Sequence, residues 1–221
     1  MDLRRLLKGF RALGSSAPKG RHFDPTPAQG RRPPVSLRAL NPEDIPTCQE
    51  IYRLNEPGRF PAGFFPEFEK AITDSRCLFI VACAGNEVVA LGGISIPRRV
   101  TFSAVSLSFG LVHPRWHRKG VGSALLLGRL CLLPAPDPYW KLTLSPVQDA
   151  WSYFTRFGFS FCGRMKVAGH DFNVYDALLY RQQWLECRNI LNAAGVTGLQ
   201  ALVDERTAAD IRIEAARLRD T

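Results

Sequence analysis

The chain has 221 residues, 46% of them hydrophobic, which suits one mid-sized domain with a full core and is short for two. The formal net charge is +9, but residues 1–34 hold eight Lys/Arg against two acids, so the rest of the chain carries only +3. That balance argues against a nucleic-acid-binding body. No stretch reaches the ~20 apolar residues of a membrane span, and the N-terminus lacks the apolar run of a secretory signal; a soluble, cytoplasmic protein is the expectation.

In chain order, DLRRLLKGFRAL (2–13) reads as a short amphipathic helix, with Leu3, Leu6, Leu7, Phe10 and Leu13 opposite Arg4, Arg5, Lys8 and Arg11. The Pro-, Gly- and Arg-rich segment 14–34 reads as a linker. This basic arm would suit an acidic partner or surface. A domain begins near Val35 with the strand VSLRAL. Asn41, Pro42 and Asp44 then supply a capping signal for the helix IPTCQEIYRL. NEPGRFPAG (55–63) is a loop, and FFPEFEKAI (64–72) a second helix. CLFIVACA (77–84), Gly85-Asn86 and EVVALGGISI (87–96) form a strand, a tight turn and a strand. Residues 100–112 are a long strand. A third helix runs from about Gly120 to Leu133, interrupted only by Arg129, and Pro134 stops it.

KLTLS (141–145) is a strand. Ser145, Pro146 and Gln148 predict a fourth helix, PVQDAWSYFTRF, ending at Gly158. FSFCGRMKV and FNVYDALLY are two strands joined around Gly169. Helical tracts at about 181–194 and 198–219 follow, separated by Gly195, with Thr197 and Gln200 as a further capping box. The division is a basic arm and linker (1–34), a domain (35–180) and a C-terminal helical extension (181–221). The order β-α-α-β-β-β-α-β-α-β-β predicts an α/β fold, a mixed central sheet with helices on both faces plus the extra C-terminal helices. The six cysteines form no C-x-x-C pair and read as buried free thiols. The four histidines are scattered, so no metal site is legible.

The stretch HPRWHRKGVGSALLLGRL (113–130) carries chemistry. The first amides of a helix lack internal partners and point outward, reinforced by the helix dipole. Gly120 and Gly122 remove side chains from their path, and Arg118 and Lys119 add charge. A pyrophosphate would fit there. A P-loop is excluded because Lys119 precedes the glycine, and a dinucleotide fingerprint because Leu125 stands at its third glycine. Taken alone, the motif leaves open a turn that merely needs small residues.

From Val35 to about Tyr180 the chain resembles the GNAT superfamily of N-acetyltransferases. HRKGVGSALL is similar to that family's Gln/Arg-x-x-Gly-x-Gly/Ala loop, and AWSYFTRFGF (150–159) to its Ala-x-x-Phe-Tyr-x-x-x-Gly-Phe segment. The resemblance implies acetyl-CoA as acyl donor and a small-molecule or peptide amine as acceptor. It implies that His117, Arg118, Lys119, Gly120, Val121, Gly122 and Ser123 hold the pyrophosphate. Leu111, Val112 and His113 would pair with the pantetheine arm, and an amide near Leu111 would polarise the acyl carbonyl. Phe154, on the cofactor side, stands where the resemblance implies a tyrosine that protonates the leaving thiolate; the nearest hydroxyl is Tyr153. Ser106 stands where many members carry a glutamate base, and Val147 where many have an asparagine. Glu56 is the candidate base, with Glu67 and Glu69 behind it, and Glu56 and Arg59 are the candidate acceptor-site pair. The alternative is a CoA-binding sensor or interaction protein with impaired chemistry. The C-terminal helices would cover the site, form a homodimer or pack on the sheet.

Overall fold

A computed structural model describes residues 35–56, 58–74, 77–95, 104–147 and 150–198. The expected first helix at 2–13, the linker, the start of the long strand at 100–103, Gln148, Gln200 and the tract from 199 onward lie outside the described residues.

Seven strands form one sheet in the order β1-β2-β3-β4-β5-β7-β6. They are β1 Ser36–Ala39, β2 Cys77–Ala84, β3 Glu87–Ser95, β4 Ala104–Val112, β5 Tyr139–Leu144, β6 Ser160–Val167 and β7 His170–Tyr180. Neighbours pair antiparallel except β4 and β5, which are parallel. The helices are α1 Ile45–Asn55, α2 Phe65–Thr73, α3 Val121–Cys131, α4 Trp151–Thr155 and α5 Arg181–Ala193.

The unbroken apolar run of β2 follows from its place inside the sheet. Side chains alternate faces along a strand, so Leu78, Ile80 and Ala82 enter a core under α3 and α5, while Phe79, Val81 and Cys83 enter a second core under α1 and α2. Helices therefore cover both faces, as expected. α3 sits close to the sheet because Gly128 has no side chain: a Cβ there would lie 2.4 Å from Leu37 Cδ1. α1 is entered through a single 3-10 turn, Pro42–Asp44. There the Asp44 carboxylate accepts from the Asn41 amide at 2.9 Å and from Arg38 Nη2 at 2.8 Å. Arg38 holds the Asp44 carboxyl below the usual carboxylate range, against the opposing effect of burial.

α4 departs from expectation. Its helix begins at Trp151, six residues past the proposed cap, and has no side-chain cap. The Ser145 hydroxyl donates to Met165 Sδ on β6, at 3.7 Å. The helix ends at Thr155, three residues short of the expected stop, while Gly158 (φ 76°) takes the expected left-handed conformation. α5 is no detached extension. Trp184, Cys187 and Leu191 enter the α3 core, and Trp184 Nε1 donates to Leu133 O at 3.1 Å. Beyond it, Thr197 bridges Ser36 on β1, with Leu37 N donating to Thr197 O at 2.8 Å. All six cysteines are free, and burial pushes the Cys48 and Cys131 thiols up to about 12. Among the described residues no helix is long and apolar enough to cross a membrane.

Candidate functional site

The site begins where the sheet opens. β4 pairs with β5 only as far as Leu107↔Leu144, yet β4 continues to Val112. Over the same stretch its pairing with β3 carries a bulge. Gly93 faces Ser108 and Leu91 faces Leu111, so Gly92 alone opposes Phe109 and Gly110. Phe109 takes φ 44°, left-handed backbone that a non-glycine residue adopts only when its surroundings fix it. β4 thus presents a bent, unpaired edge to a wedge between two parallel strands, with Gly110 exposed on it.

Which amides face the wedge follows from parity. His113 N donates to Val89 O on β3 at 2.9 Å. Hydrogen-bonding direction alternates along a strand, so Leu111, paired with Leu91, also gives its amide to β3. Val112 points the other way. The expectation that Leu111, Val112 and His113 act together therefore contracts to Val112, and an amide of Leu111 is not available to polarise a carbonyl. The Val112 carbonyl is itself occupied: it accepts from Asn55 Nδ2 at 3.0 Å and lies 2.8 Å from His117 Nε2. His117 is thereby tied to the strand end rather than to the loop mouth. His113 serves the turn, its Nδ1 accepting from Arg115 N at 3.1 Å.

The chain then turns through Pro114–Trp116 and passes Arg118 (φ 58°) and Gly120 (φ 83°), both left-handed. α3 follows with Gly120 as N-cap and no side-chain cap. The first intrahelical bond runs from Ala124 N to Gly120 O at 3.0 Å, which leaves the amides of Val121, Gly122 and Ser123 without helical partners. A Cβ on Gly122 would meet only Val112 Cγ2, at an ordinary 3.6 Å, so packing within the chain does not demand glycine there. Arg118 and Lys119 are exposed beside this mouth, Lys119 lying 5.0 Å from the Trp116 ring centroid. Uncapped amides, two cations and a side-chain-free approach fit a pyrophosphate. Across the mouth, Tyr153 OH donates to Ser123 Oγ at 3.2 Å. Phe154 is half-buried, with its ring against Tyr153 and Phe159. Ser106 lies between Ser95 and Thr143 in the sheet register and brings no carboxylate.

On the opposite face of β4, aromatic rings gather. Tyr52 lies between Phe60 and Phe68, each 4.8 Å away between centroids, and Phe109 meets Phe68 at 5.2 Å. Phe64 contacts Phe172 of β7 at 5.1 Å and His170 at 6.1 Å. Within this zone Tyr52 OH and Ser108 Oγ are buried with no hydrogen-bond partner. Burial, helped by the charge of Glu56, pushes the Tyr52 phenol up, so it remains a donor. Glu56 is half-buried and Arg59 exposed, and among the described residues they form no ion pair. They share only a backbone bond, Arg59 N to Glu56 O at 3.1 Å. Glu67 and Glu69 lie on α2, and Glu69 accepts from Gln49 at 3.1 Å.

Sequence reasoning missed Asn55, Phe109 and Arg129. Asn55 was findable, since it occupies the buried stripe Cys48, Ile51, Tyr52, Asn55 at helical spacing, where a polar residue needs a reason. No local pattern marks the bulge at Phe109.

Residues 45–159, just over half of the chain, match the profile of the acetyltransferase (GNAT) family. No curated protein matches the sequence. Among solved structures, a GNAT-family protein from Desulfovibrio desulfuricans is 18% identical, with 65% of this chain and 98% of its own covered at a TM-score of 0.52. A GCN5-related N-acetyltransferase from Rhodopseudomonas palustris is 17% identical over 69% of this chain and 99% of its own, at 0.53. Ard1 from Thermoplasma volcanium is 18% identical over 66% and 97%, at 0.50. At such identities the likeness extends to the fold and not to the substrate.

Proposed function

Because the chain belongs to the acetyltransferase (GNAT) family, we propose that it transfers the acetyl group of acetyl-CoA to a primary amine by direct attack. The observation that carries this is the alignment of the open β4 edge with the uncapped mouth of α3, joined by the His113–Gly120 turn. The amides of Val121, Gly122 and Ser123 would hold the pyrophosphate, with Arg118 and Lys119 adding charge. The Val112 amide would hold the pantetheine arm. Acetyl-CoA supplies the thioester: the amine nitrogen bonds to the acyl carbon and CoA thiolate leaves.

Proton handling rests on few groups. A thiolate whose conjugate acid has a pKa of about 8.5 departs without strong acid help. Tyr153 is the phenol we assign to that side, because Phe154 has no proton to give. Glu56 is the base we favour. It lies one turn beyond Tyr52, its charge reaches that buried phenol, and being half-buried it would take the amine's proton directly or through solvent. Proximity supplies the rest. Phe60, Phe64, Phe109 and Phe172 suit an acceptor whose amine is carried on an apolar or aromatic body, with Arg59 at the rim.

The experiment is a thermal-shift titration with acetyl-CoA, then thiol release against amines, comparing arylalkylamines with polyamines and peptide N-termini. Stabilisation by acetyl-CoA with turnover of at least one amine supports the proposal. Stabilisation by acetyl-CoA with neither turnover of any amine nor acetyl-CoA hydrolysis replaces the enzyme with a CoA-binding sensor.

A further inference from the structure

Arg129 is the one charged residue of α3, and it is 4% exposed. The other buried positions of that helix are apolar or glycine. Among the described residues no carboxylate pairs with it. Its Nη1 donates to Gly93 O at 3.3 Å and to Ser108 O at 3.4 Å, and its Nε has no partner. An uncompensated buried cation is costly to a fold, and an apolar residue of similar volume would serve packing better. A charge at this position calls for a role outside packing.

Its placement indicates which role. The guanidinium lies flat on the backbone of β3 and β4. A Cβ on Gly92 would come 3.0 Å from Nε, and one on Gly110 would come 2.9 Å from Nη2. Glycine at both positions is what admits it. The carbonyls it grips lie at one end of the bulge: Gly93 and Ser108 are the last paired residues before the step, and Phe109 (φ 44°) and Gly110 make it. Arg129 thus stands directly behind the exposed edge of β4, where the wedge opens. Burial pulls its pKa down to about 10, which leaves it cationic at neutral pH.

We propose that Arg129 is a positioning residue for acyl transfer, holding the Ser108–Gly110 bulge from behind and setting a positive charge behind the edge that faces the thioester. The inference rests on the acyl-transfer reading above. As the amine nitrogen bonds to the acyl carbon, the carbonyl electron pair moves onto oxygen. It returns as the C–S bond breaks and thiolate leaves, and the amine's proton passes to base. Arg129 exchanges no proton; it lowers the energy of the charge while it resides on oxygen. A fixed charge behind the edge does this without reorganising.

The test compares wild type with Arg129→Met and Arg129→Gln. Removing the buried charge should leave the melting temperature unchanged or higher. It should shift the amide resonances of Phe109 and Gly110 in the ligand-free, 15N-labelled protein. It should leave KM for acetyl-CoA within about threefold and lower kcat about 10- to 100-fold, since loss of a direct oxyanion donor costs about 100- to 1,000-fold and Arg129 acts one step behind. A kcat within twofold of wild type in either folded variant overturns the proposal, and so does a loss that appears wholly in KM. If Arg129→Met does not fold, Arg129→Gln, which keeps a donor for the carbonyls but no charge, decides by the same kcat criterion. If wild type itself turns over no amine, the acyl-transfer reading falls first, and that control separates the two failures.

Discussion

Gly122→Glu separates a cofactor cradle from a turn. Gly122 stands in the first turn of α3, and the nearest side-chain atom to a new Cβ is Val112 Cγ2 at 3.6 Å. Replacing glycine inside a helix gains up to about 1 kcal/mol, and an acidic group in the first turn adds about 0.3–1 kcal/mol through the dipole. The fold should therefore lose nothing and gain up to about 2 kcal/mol, a rise of up to about 4–8 °C at this chain length. Binding should move the other way. A carboxylate ~4 Å from a phosphate charge repels it by about 4 kcal/mol at an effective dielectric of 20, and solvent at the open mouth reduces this to about 2–3 kcal/mol. The dissociation constant for CoA should rise about 30- to 150-fold. Differential scanning fluorimetry of the ligand-free variant, followed by calorimetric titration with CoA, reads both. Binding within threefold of wild type refutes the pyrophosphate assignment. A melting point more than 5 °C below wild type refutes the reasoning about open space beside Gly122.

Asn55→Ala should cost about 1–2 kcal/mol, because Ile51 O and Val112 O each lose one donor while Val112 O keeps His117; thermal denaturation should register a drop of about 2–8 °C. Gly128→Ala should cost about 1–3 kcal/mol by driving a methyl into Leu37 Cδ1, and Leu37→Val in the same chain should recover part of it in urea melts. Asp44 is held below its ordinary pKa by Arg38, so the stability it contributes is full above its unfolded value near 3.8 and is lost as pH falls through the lower folded value. The gap in urea midpoint between wild type and Asp44→Asn should therefore be wide at pH 6 and narrower at pH 3. Phe154→Tyr should raise turnover in the thiol-release assay if a phenol at that place reaches the leaving sulfur; unchanged turnover assigns the proton to solvent.

The sequence carried most of the fold because its signals were local. The run CLFIVACA, the Gly85-Asn86 turn and the helix stripe of IPTCQEIYRL need only neighbours to be read, and all appear where expected. The α3 mouth was legible for the same reason: two glycines and two cations in a row state its chemistry. What failed was non-local. Ser145, Pro146 and Gln148 spell a cap, but the Ser145 hydroxyl donates to Met165, twenty residues away. The assignment of Leu111 failed because amide direction depends on the pairing of His113 with Val89, which no single strand reveals. Arg129 was visible as an interruption, but its meaning required Gly92 and Gly110 to be brought against it from two other strands.

The bridge between Thr197 and Ser36 places both limits of the described chain on one rim of the molecule. β1 is an outer strand, and the wedge beside β4 lies three strand spacings away, about 14 Å. A force applied at Val35 or at Gly198 therefore acts on the same rim. The load would fall on Leu37 and Gly198, whose close approach fixes that corner, while the mouth of α3 stays clear of it. Force applied at both residues together should add no strain across the cleft.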